Sequence, residues 1–267
     1  RFVGNSNSAG MRPSFALLKL IETTEFNMSR ILVVWDVTAT HLHMIASRNN
    51  RSALRIFCTN ALAELTTKAL QFNEDGAVGG GGGQSHKTTP SMLSRTVDLN
   101  QIELMEPLCR CFHSEHTNTR QATLHSMEAL LKSCGHVLNE GWSTVMDLLE
   151  SVARTKSSSG SGGTSGGNND GNNDSNNNIA MIPLGFRTLQ VVLDESLDRV
   201  MTVEGMASRC IGCLSTYAKQ QHDVNISLTA IGAMWTLTDY IRQHGIDNKG
   251  STGNTGNTGN TGNTGNT

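Results

Sequence analysis

Apolar residues recur along most of this chain at intervals of three and four, the signature of helices with one face turned inward. Ile31, Trp35, Thr38, Leu42 and Ile45 form one such face, and the polar turn 47–50 breaks it, with Asn available as a cap. Upstream, Pro13 reads as a first-turn residue before Phe15, Leu18 and Ile21, a short helix ending near Asn27. The clearest stripe is Leu54, Cys58, Ala61, Leu65, Ala69 and Phe72, ending where 73–76 leads into a glycine run. A second group follows. Ile102, Met105, Leu108, Cys109 and Phe112 share a face that contains Pro107, which must start or kink its helix because its ring displaces the carbonyl four residues back. Leu124, Met127, Leu131 and Cys134 belong to a helix that begins at Thr119 and stops at Gly135, read as a left-handed C-terminal cap. Trp142, Val145, Met146, Leu149 and Val152 make the next one. In the third group, Pro183 opens a helix carrying Phe186, Leu189, Leu193 and Leu197. Val203, Met206, Cys210, Cys213 and Tyr217 form another, and Leu228, Ile231, Trp235, Thr238 and Ile241 the last, closed by Gly245. The expected fold is all-α, about nine helices with short polar turns.

Composition divides the 267 residues further. Two-thirds of the 27 glycines lie in three low-complexity stretches with almost no apolar side chains, too polar to bury a core. The expected organisation is therefore helical repeats over 11–74, 96–156 and 179–245. A Gly-rich insert over 75–95, a Ser/Gly/Asn insert over 157–178 and a Thr-Gly-Asn tail over 246–267 should be disordered. With 21 Lys and Arg against 23 Asp and Glu, no basic field exists to collect nucleic acid or an anionic membrane. No apolar run approaches the ~18–20 residues of a membrane span. The start, Arg1-Phe2-Val3-Gly4, has neither an initiator Met nor a signal-peptide pattern and reads as the edge of a piece of a longer protein. Six cysteines fall within apolar helical patterns, which suits free buried thiols in a reducing compartment better than a disulfide framework.

Three turn-plus-helix segments look alike: Arg48–Leu65, Glu115–Gly135 and Gln221–Ile241, each a polar turn containing Asn followed by a helix with small or apolar residues at 3–4 spacing. The middle one, Asn118-Thr119-Arg120-Gln121-Ala122, resembles the start of the second helix of a HEAT repeat, in which Asp or Asn caps the helix and Arg lies across the adjoining turn. One helix pair cannot bury both of its faces, so such pairs stack into a superhelix; a HEAT/armadillo-like array interrupted by the inserts is expected. Longer strings add to this. Arg12–Leu65, with Trp35, His41, Leu42 and Ala61-Leu62-Ala63-Glu64-Leu65, resembles the region that follows the exchange domain in relatives of the large ARF guanine-nucleotide-exchange factors. Pro107–Ala153 looks like the next block, with Gln121, the Gly135–Leu138 link and the Gly141-Trp142 pair in place. Val224–Ile241 is similar to the string Asn-Ile-Ser-Leu-Thr-x-Ile-Gly-x-x-Trp-x-x-x-Asp-Tyr. The pattern most resembles the monensin-sensitivity (Mon-two) scaffold family, which lacks the catalytic domain. That resemblance implies a cytoplasmic, non-catalytic scaffold, peripheral on trans-Golgi and endosomal membranes. Its partners would be Dopey-type proteins, ARF-like GTPases and lipid-flippase assemblies. Two other readings stand beside it: the regulatory region of a true ARF exchange factor, and an unrelated helical-repeat adaptor.

The residues that could carry chemistry have structural explanations. Cys109, Cys111, His113 and His116 are a dense set of soft ligands, but residues two apart on a helix point about 200° from each other, so the two cysteines cannot both face one metal unless the helix ends between them; a core thiol with exposed turn histidines is expected. Cys210 and Cys213 have a two-residue gap but sit mid-helix with no second pair, with Gly212 allowing close helix approach. A partly buried His41 donating to a neighbouring carbonyl is expected, on the opposite side of its helix from His43. Gly79–Gly83 lacks the Gly-Lys-Ser/Thr ending of a phosphate loop. The glycosylation-like Asn27-Met28-Ser29 and Asn225-Ile226-Ser227 fall at helix edges. In the last helix, Asn225 and Ser227 read as caps, Trp235 as an anchor on the preceding helix near Cys213 and Tyr217, and Asp239 as its neighbour one turn on. No Ser/His/Asp set or carboxylate pair is spaced for catalysis, and the sequence implies neither cofactor nor metal. Trp35, His41, Arg120, Gln121, Trp142, Asn225, Ser227, Trp235 and Asp239 are therefore family-signature residues with expected structural roles.

Overall fold

The structure, a computed structural model, describes residues 13–78, 100–154 and 180–244, with the backbone alone over 73–78. Among these are ten α-helices and no strand: α1 (Phe15–Phe26), α2 (Ile31–Arg48), α3 (Ser52–Val78), α4 (Gln101–Arg110), α5 (Thr117–Cys134), α6 (Gly141–Ala153), α7 (Met181–Glu195), α8 (Leu197–Thr202), α9 (Met206–Lys219) and α10 (Val224–His244). Short 3-10 turns at Met28–Arg30, Cys111–His113 and Gly135–Val137 join neighbouring helices. Residues 79–95, 157–178 and 246–267, expected to be disordered, and the Gly245 cap lie outside the described residues.

The helices form two layers. In one, α2, α4, α6 and α9 lie side by side; in the other, α3 packs on α5 and α5 on α7. The pairs α2–α3, α6–α7 and α9–α10 pack on each other, in keeping with the all-α helical-repeat architecture expected. One contiguous apolar core runs between them, from Leu17 and Ile21 in α1 to Ala230 and Leu237 in α10. Burial of each Leu or Ile side chain contributes about 1.5–3 kcal/mol, and the array depends on many of them.

Pro107 shows how the layers are held in register. It sits inside α4 and has no N–H, so the Glu103 carbonyl four residues back lacks its helical donor. The Trp35 indole of α2 supplies the replacement, donating from Nε1 to the Glu103 oxygen at 3.1 Å. The buried tryptophan of one pair thus completes the backbone hydrogen bonding of the next. At the same junction the Thr66 hydroxyl of α3 donates to the Leu104 carbonyl at 3.3 Å.

The structure departs from the sequence expectations where a face or an end was inferred from spacing alone. Ser14, not Pro13, starts α1, its hydroxyl accepting from the Leu17 N–H at 3.3 Å. The backbone of α3 continues to Val78, beyond the glycine expected to stop it. Phe72 is 47% exposed and Ile102 is exposed too, so neither end of its stripe joins the core. Ser196 interrupts the run from Pro183 to Leu197 and leaves the short α8 as a separate turn. Gly135 is right-handed (φ −55°, ψ −36°) rather than a left-handed cap. A side chain there would force the Ser196 hydroxyl to turn away. The largest difference is in α10, where Ile226, Ala230 and Leu237 face α9 while the stripe of Leu228, Ile231 and Trp235 faces outward. That helix carries apolar residues on two sides, and spacing cannot tell which side meets the neighbour.

The Trp35 bridge makes a specific prediction. Trp35→Phe should destabilise the fold by about 1–3 kcal/mol beyond its packing loss, because the Glu103 carbonyl is left without a donor. Pro107→Ala restores a backbone N–H to that carbonyl. The double variant should therefore be more stable than the sum of the two single effects in a urea-denaturation cycle; strict additivity would count against the bridge.

Candidate functional site

Among the signature residues Trp35 bridges two helix pairs, and the other polar bridges at the junctions are made by residues outside that set. At the first junction, the last carbonyls of α2 have no intrahelical donors. Thr119 donates to the Ala46 carbonyl at 2.9 Å and Ser114 to that of Ser47 at 3.4 Å. The Arg55 guanidinium donates to the Asn49 carbonyl at 2.6 Å and to Asn118 Oδ1 at 2.8 and 3.3 Å. Asn118 was expected to cap α5. The cap position is instead His116, which makes no side-chain cap bond, and Asn118 faces the preceding repeat as an acceptor. The arginine lying across the turn is Arg55, a buried side chain whose pKa is lowered by desolvation. Arg120 donates to the Thr117 hydroxyl at 3.3 Å within its own helix, and Gln121 is half-buried.

Two further junctions repeat the arrangement. Gln101 of α4 donates to the Val137 carbonyl at 3.0 Å and accepts from the N–H groups of Asn139 and Gly141, capping the start of α6 from the neighbouring pair. Arg209 of α9 spans to α6, pairing with Asp147 at 2.6 Å and Glu150 at 3.2 Å. Glu128 of α5, nearly buried, pairs with Arg187 of α7 and with Lys132, which together hold its carboxyl below the usual range against the opposing cost of burial. Trp142 is completely buried, and its Nε1 has no hydrogen-bond partner among the described residues, so its role is packing. Gly185 lets α7 approach α6 and α9: a Cβ there would lie 2.5 Å from Val152 and from the Tyr217 hydroxyl.

The last helix corrects several expectations. Its cap is Asp223, which accepts from the N–H groups of Asn225 (2.8 Å) and Ile226 (3.4 Å). Asn225 is exposed, and Ser227 exchanges hydrogen bonds with Gln220 instead of capping. Asp239 pairs with Arg242 at 3.1 Å on the surface. Trp235 is 71% exposed and touches neither Cys213 nor Tyr217 as its expected anchoring role required, because α10 is rotated to seat Ala230 and Leu237 on α9.

The soft ligands are dispersed. Among the described residues no group of three or more His, Cys, Asp or Glu side chains could hold a metal ion. All six cysteines are free thiols, and burial pushes Cys58, Cys111, Cys210 and Cys213 up from 9.0 to about 12. Such thiols are protonated at neutral pH and are poor nucleophiles. Gly212 meets no neighbour among the described residues, so the close helix approach expected there is not seen. His41, expected to be partly buried, is exposed and lines a small hollow of about 280 Å³ with Leu17, Arg51 and Leu54. His43 is the half-buried one. Desolvation lowers its pKa first and Arg110 second, and its Nε2 lies 3.2 Å from the Ser47 hydroxyl. A longer groove of about 490 Å³ runs between α3 and α5 over Ala63, Thr67, Ser126 and Ala129. Asn60 bonded to Ser126 and Gln71 bonded to Ser133 cross its floor. Glu64, Lys68 and His125 line the same groove.

A family model described as Mon2/Sec7/BIG1-like, HDS, matches residues 98–161, the stretch that holds α4, α5 and α6. Across 241 residues, 88% of the chain, the sequence is 30% identical to a protein MON2 homolog of Drosophila melanogaster. This chain resembles a fragment of the Mon2 family. Over 235 residues it is 26% identical to the MON2 homolog of Homo sapiens, and over 228 residues 21% identical to monensin-resistant homolog 2 of Caenorhabditis elegans. The Mon2-like chain spans 12% of the fly relative's length and 11% of the human one's. No solved structure matches it.

Two outcomes follow from the site. Arg55 is a buried cation whose side-chain partner is a neutral amide, so Asn118→Asp should raise the melting temperature by supplying a counter-charge. Asn118→Leu should cost about 1.5–3 kcal/mol, the worth of a hydrogen bond to a charged group. Equal melting temperatures for all three proteins would refute the role given to this pair. The thiols set an alkaline limit. Their folded pKa values lie above the unfolded value, so the neutral form's stabilisation is complete below pH 9 and is lost as pH rises toward about 12. Urea midpoints should fall above pH 9, and Cys213→Ala should flatten the slope by up to about 1.4 kcal/mol per pH unit.

Proposed function

We propose that this chain is part of a non-catalytic helical scaffold that works in vesicle traffic and protein transport between the Golgi and endosomes. The observation that carries the reading is the similarity to MON2 homologs, which extends through nearly all of the helical array and not through one motif. The array itself fits such work. Its polar side chains are spent on bridging helix pairs, its thiols are buried and protonated, and its open surfaces are grooves and helix faces. No helix among the described residues is long and apolar enough to cross a membrane. Attachment to trans-Golgi and endosomal membranes would then run through partners: a Dopey-type protein, an ARF-like GTPase and a lipid-flippase assembly, by resemblance to the family. The net charge of −2 gives nucleic acid no purchase.

A second reading has one observation in its favour, since the matching model's description groups Mon2 with Sec7 and BIG1. On that reading the chain is a regulatory region of a true ARF exchange factor. Both are tested with the longer polypeptide that carries this segment, purified and mixed with an ARF-like GTPase holding fluorescent GDP. The scaffold reading expects capture of a Dopey-type partner and of the GTPase in a direct pull-down, with the rate of GDP release unchanged. A tenfold or greater acceleration of release would establish the exchange-factor reading instead, and absence of capture would remove the scaffold one.

A further inference from the structure

The exposed large apolar residues of this array are not scattered. Among the described residues there are thirteen, and eleven of them lie on α1, α2 and α10, the helices at the two ends of the stack. The helices between them turn the equivalent residues onto neighbours: α3 is covered by α2 and α5, and α5 by α3 and α7. On α10 the exposed set is Val224, Leu228, Ile231 and Trp235, spaced by four, three and four, so all four project from one side of the helix. Gly232 lies on the same side, between Leu228 and Trp235, exposed and with nothing within 4 Å of where its Cβ would be. A glycine in an exposed helix interior weakens the helix relative to alanine. Nothing among the described residues requires it, whereas close approach by another helix would.

We propose that this face of α10 is a stacking surface, and that its occupant is an amphipathic helix of a further helical repeat from the same polypeptide. Three observations select that occupant. Each interior helix has packed neighbours on two sides, whereas α10 packs chiefly on α9 and leaves this face without one among the described residues. The stretches outside the described residues that flank α7 to α10, 155–179 and 245–267, contain almost no apolar side chain to cover it. The proteins this chain resembles are about seven to eight times its length, which leaves ample polypeptide to supply the helix. The docking helix needs aliphatic residues at 3–4 spacing to meet Leu228 and Ile231, with a small residue opposite the indole. The inference goes beyond the scaffold reading and does not depend on which partners that scaffold binds.

Trp235 makes the test direct, since the other two tryptophans, Trp35 and Trp142, are buried. Hydroxyl-radical footprinting, read by mass spectrometry, would compare this 267-residue chain alone with the same segment inside its longer polypeptide. Trp235 should be oxidised readily in the first and at least tenfold more slowly in the second. Phe72, exposed at mid-array, serves as the internal control and should react equally in both. Gly232→Leu separates a docked helix from looser cover. It should leave the melting temperature of the isolated chain unchanged or raised, yet restore Trp235 oxidation in the longer polypeptide. Equal oxidation of Trp235 in both contexts would overturn the proposal, as would protection that survives Gly232→Leu. Protection that appears in the isolated chain as its concentration rises, with a doubled mass in sedimentation, would assign the face to a second copy and overturn it too.

Discussion

A helix pair in this protein cannot complete its own backbone hydrogen bonding, and that constraint organises the whole stack. The end of α2 leaves carbonyls at Ala46, Ser47 and Asn49 that are satisfied by Thr119 and Ser114 from the next pair and by Arg55, which is itself held by Asn118 of that pair. The gap that Pro107 opens in α4 is filled by Trp35 of the preceding pair, and the start of α6 is capped by Gln101 of α4. An unmet buried carbonyl or amide costs about 1–3 kcal/mol, so a shift by one helical turn at any junction would orphan several groups together. The apolar core supplies most of the attraction between layers, but it is tolerant of sliding. These polar bridges are what select one register.

The same arrangement explains which features were legible in the sequence. The helices themselves could be read because 3–4 spacing is a property of each segment alone, and Trp35, Leu42, Met105, Trp142 and Tyr217 are buried as that spacing implies. The bridges could not be read, because they join residues more than sixty positions apart: Arg55 to Asn118, Trp35 to Glu103 and Arg209 to Asp147. Asn118 and Arg120 looked like a cap with its arginine since both types lie near one turn. The arginine that matters is in the preceding repeat, and only the three-dimensional stacking brings it there. Trp235 failed for a different reason. Ala230 and Leu237 on one side of α10 and Leu228 and Ile231 on the other give two stripes, and a tryptophan in one of them drew the choice toward the wrong side. Gly232, which lies in that outward stripe, was a signal that the face was open.

Glycine carries a second message in this fold. Gly135 and Gly185 have ordinary right-handed backbones within their helical turns, so conformational freedom does not account for them. They are places where another chain segment, Ser196 in one case and Tyr217 with Val152 in the other, occupies the space of a Cβ. Gly205, with φ of 76°, is the one described glycine kept for its backbone angle. Gly212 and Gly232 belong to neither group, since they have ordinary backbones and open space in front of them. Both lie on the pair α9–α10, at the end of the array where cover is missing.

Local stability should follow from this distribution. In a stacked array each pair draws its stability from the neighbours on both sides, so a pair with one neighbour is held less firmly than one with two. The interior, α3 through α7, is bridged on both sides by Arg55, Gln101, Glu128 and Arg209. The outer helices have fewer such links: α1 meets α2 through the paired hydroxyls of Thr24 and Thr38, and α10 meets the short α8 through Tyr240 and Asp198. The interior is also where the family model falls, over residues 98–161. Among the described residues, α4, α5 and α6 of the matched region each have neighbours on two sides, whereas α1, α2 and α10 at the ends carry most of the exposed large apolar side chains.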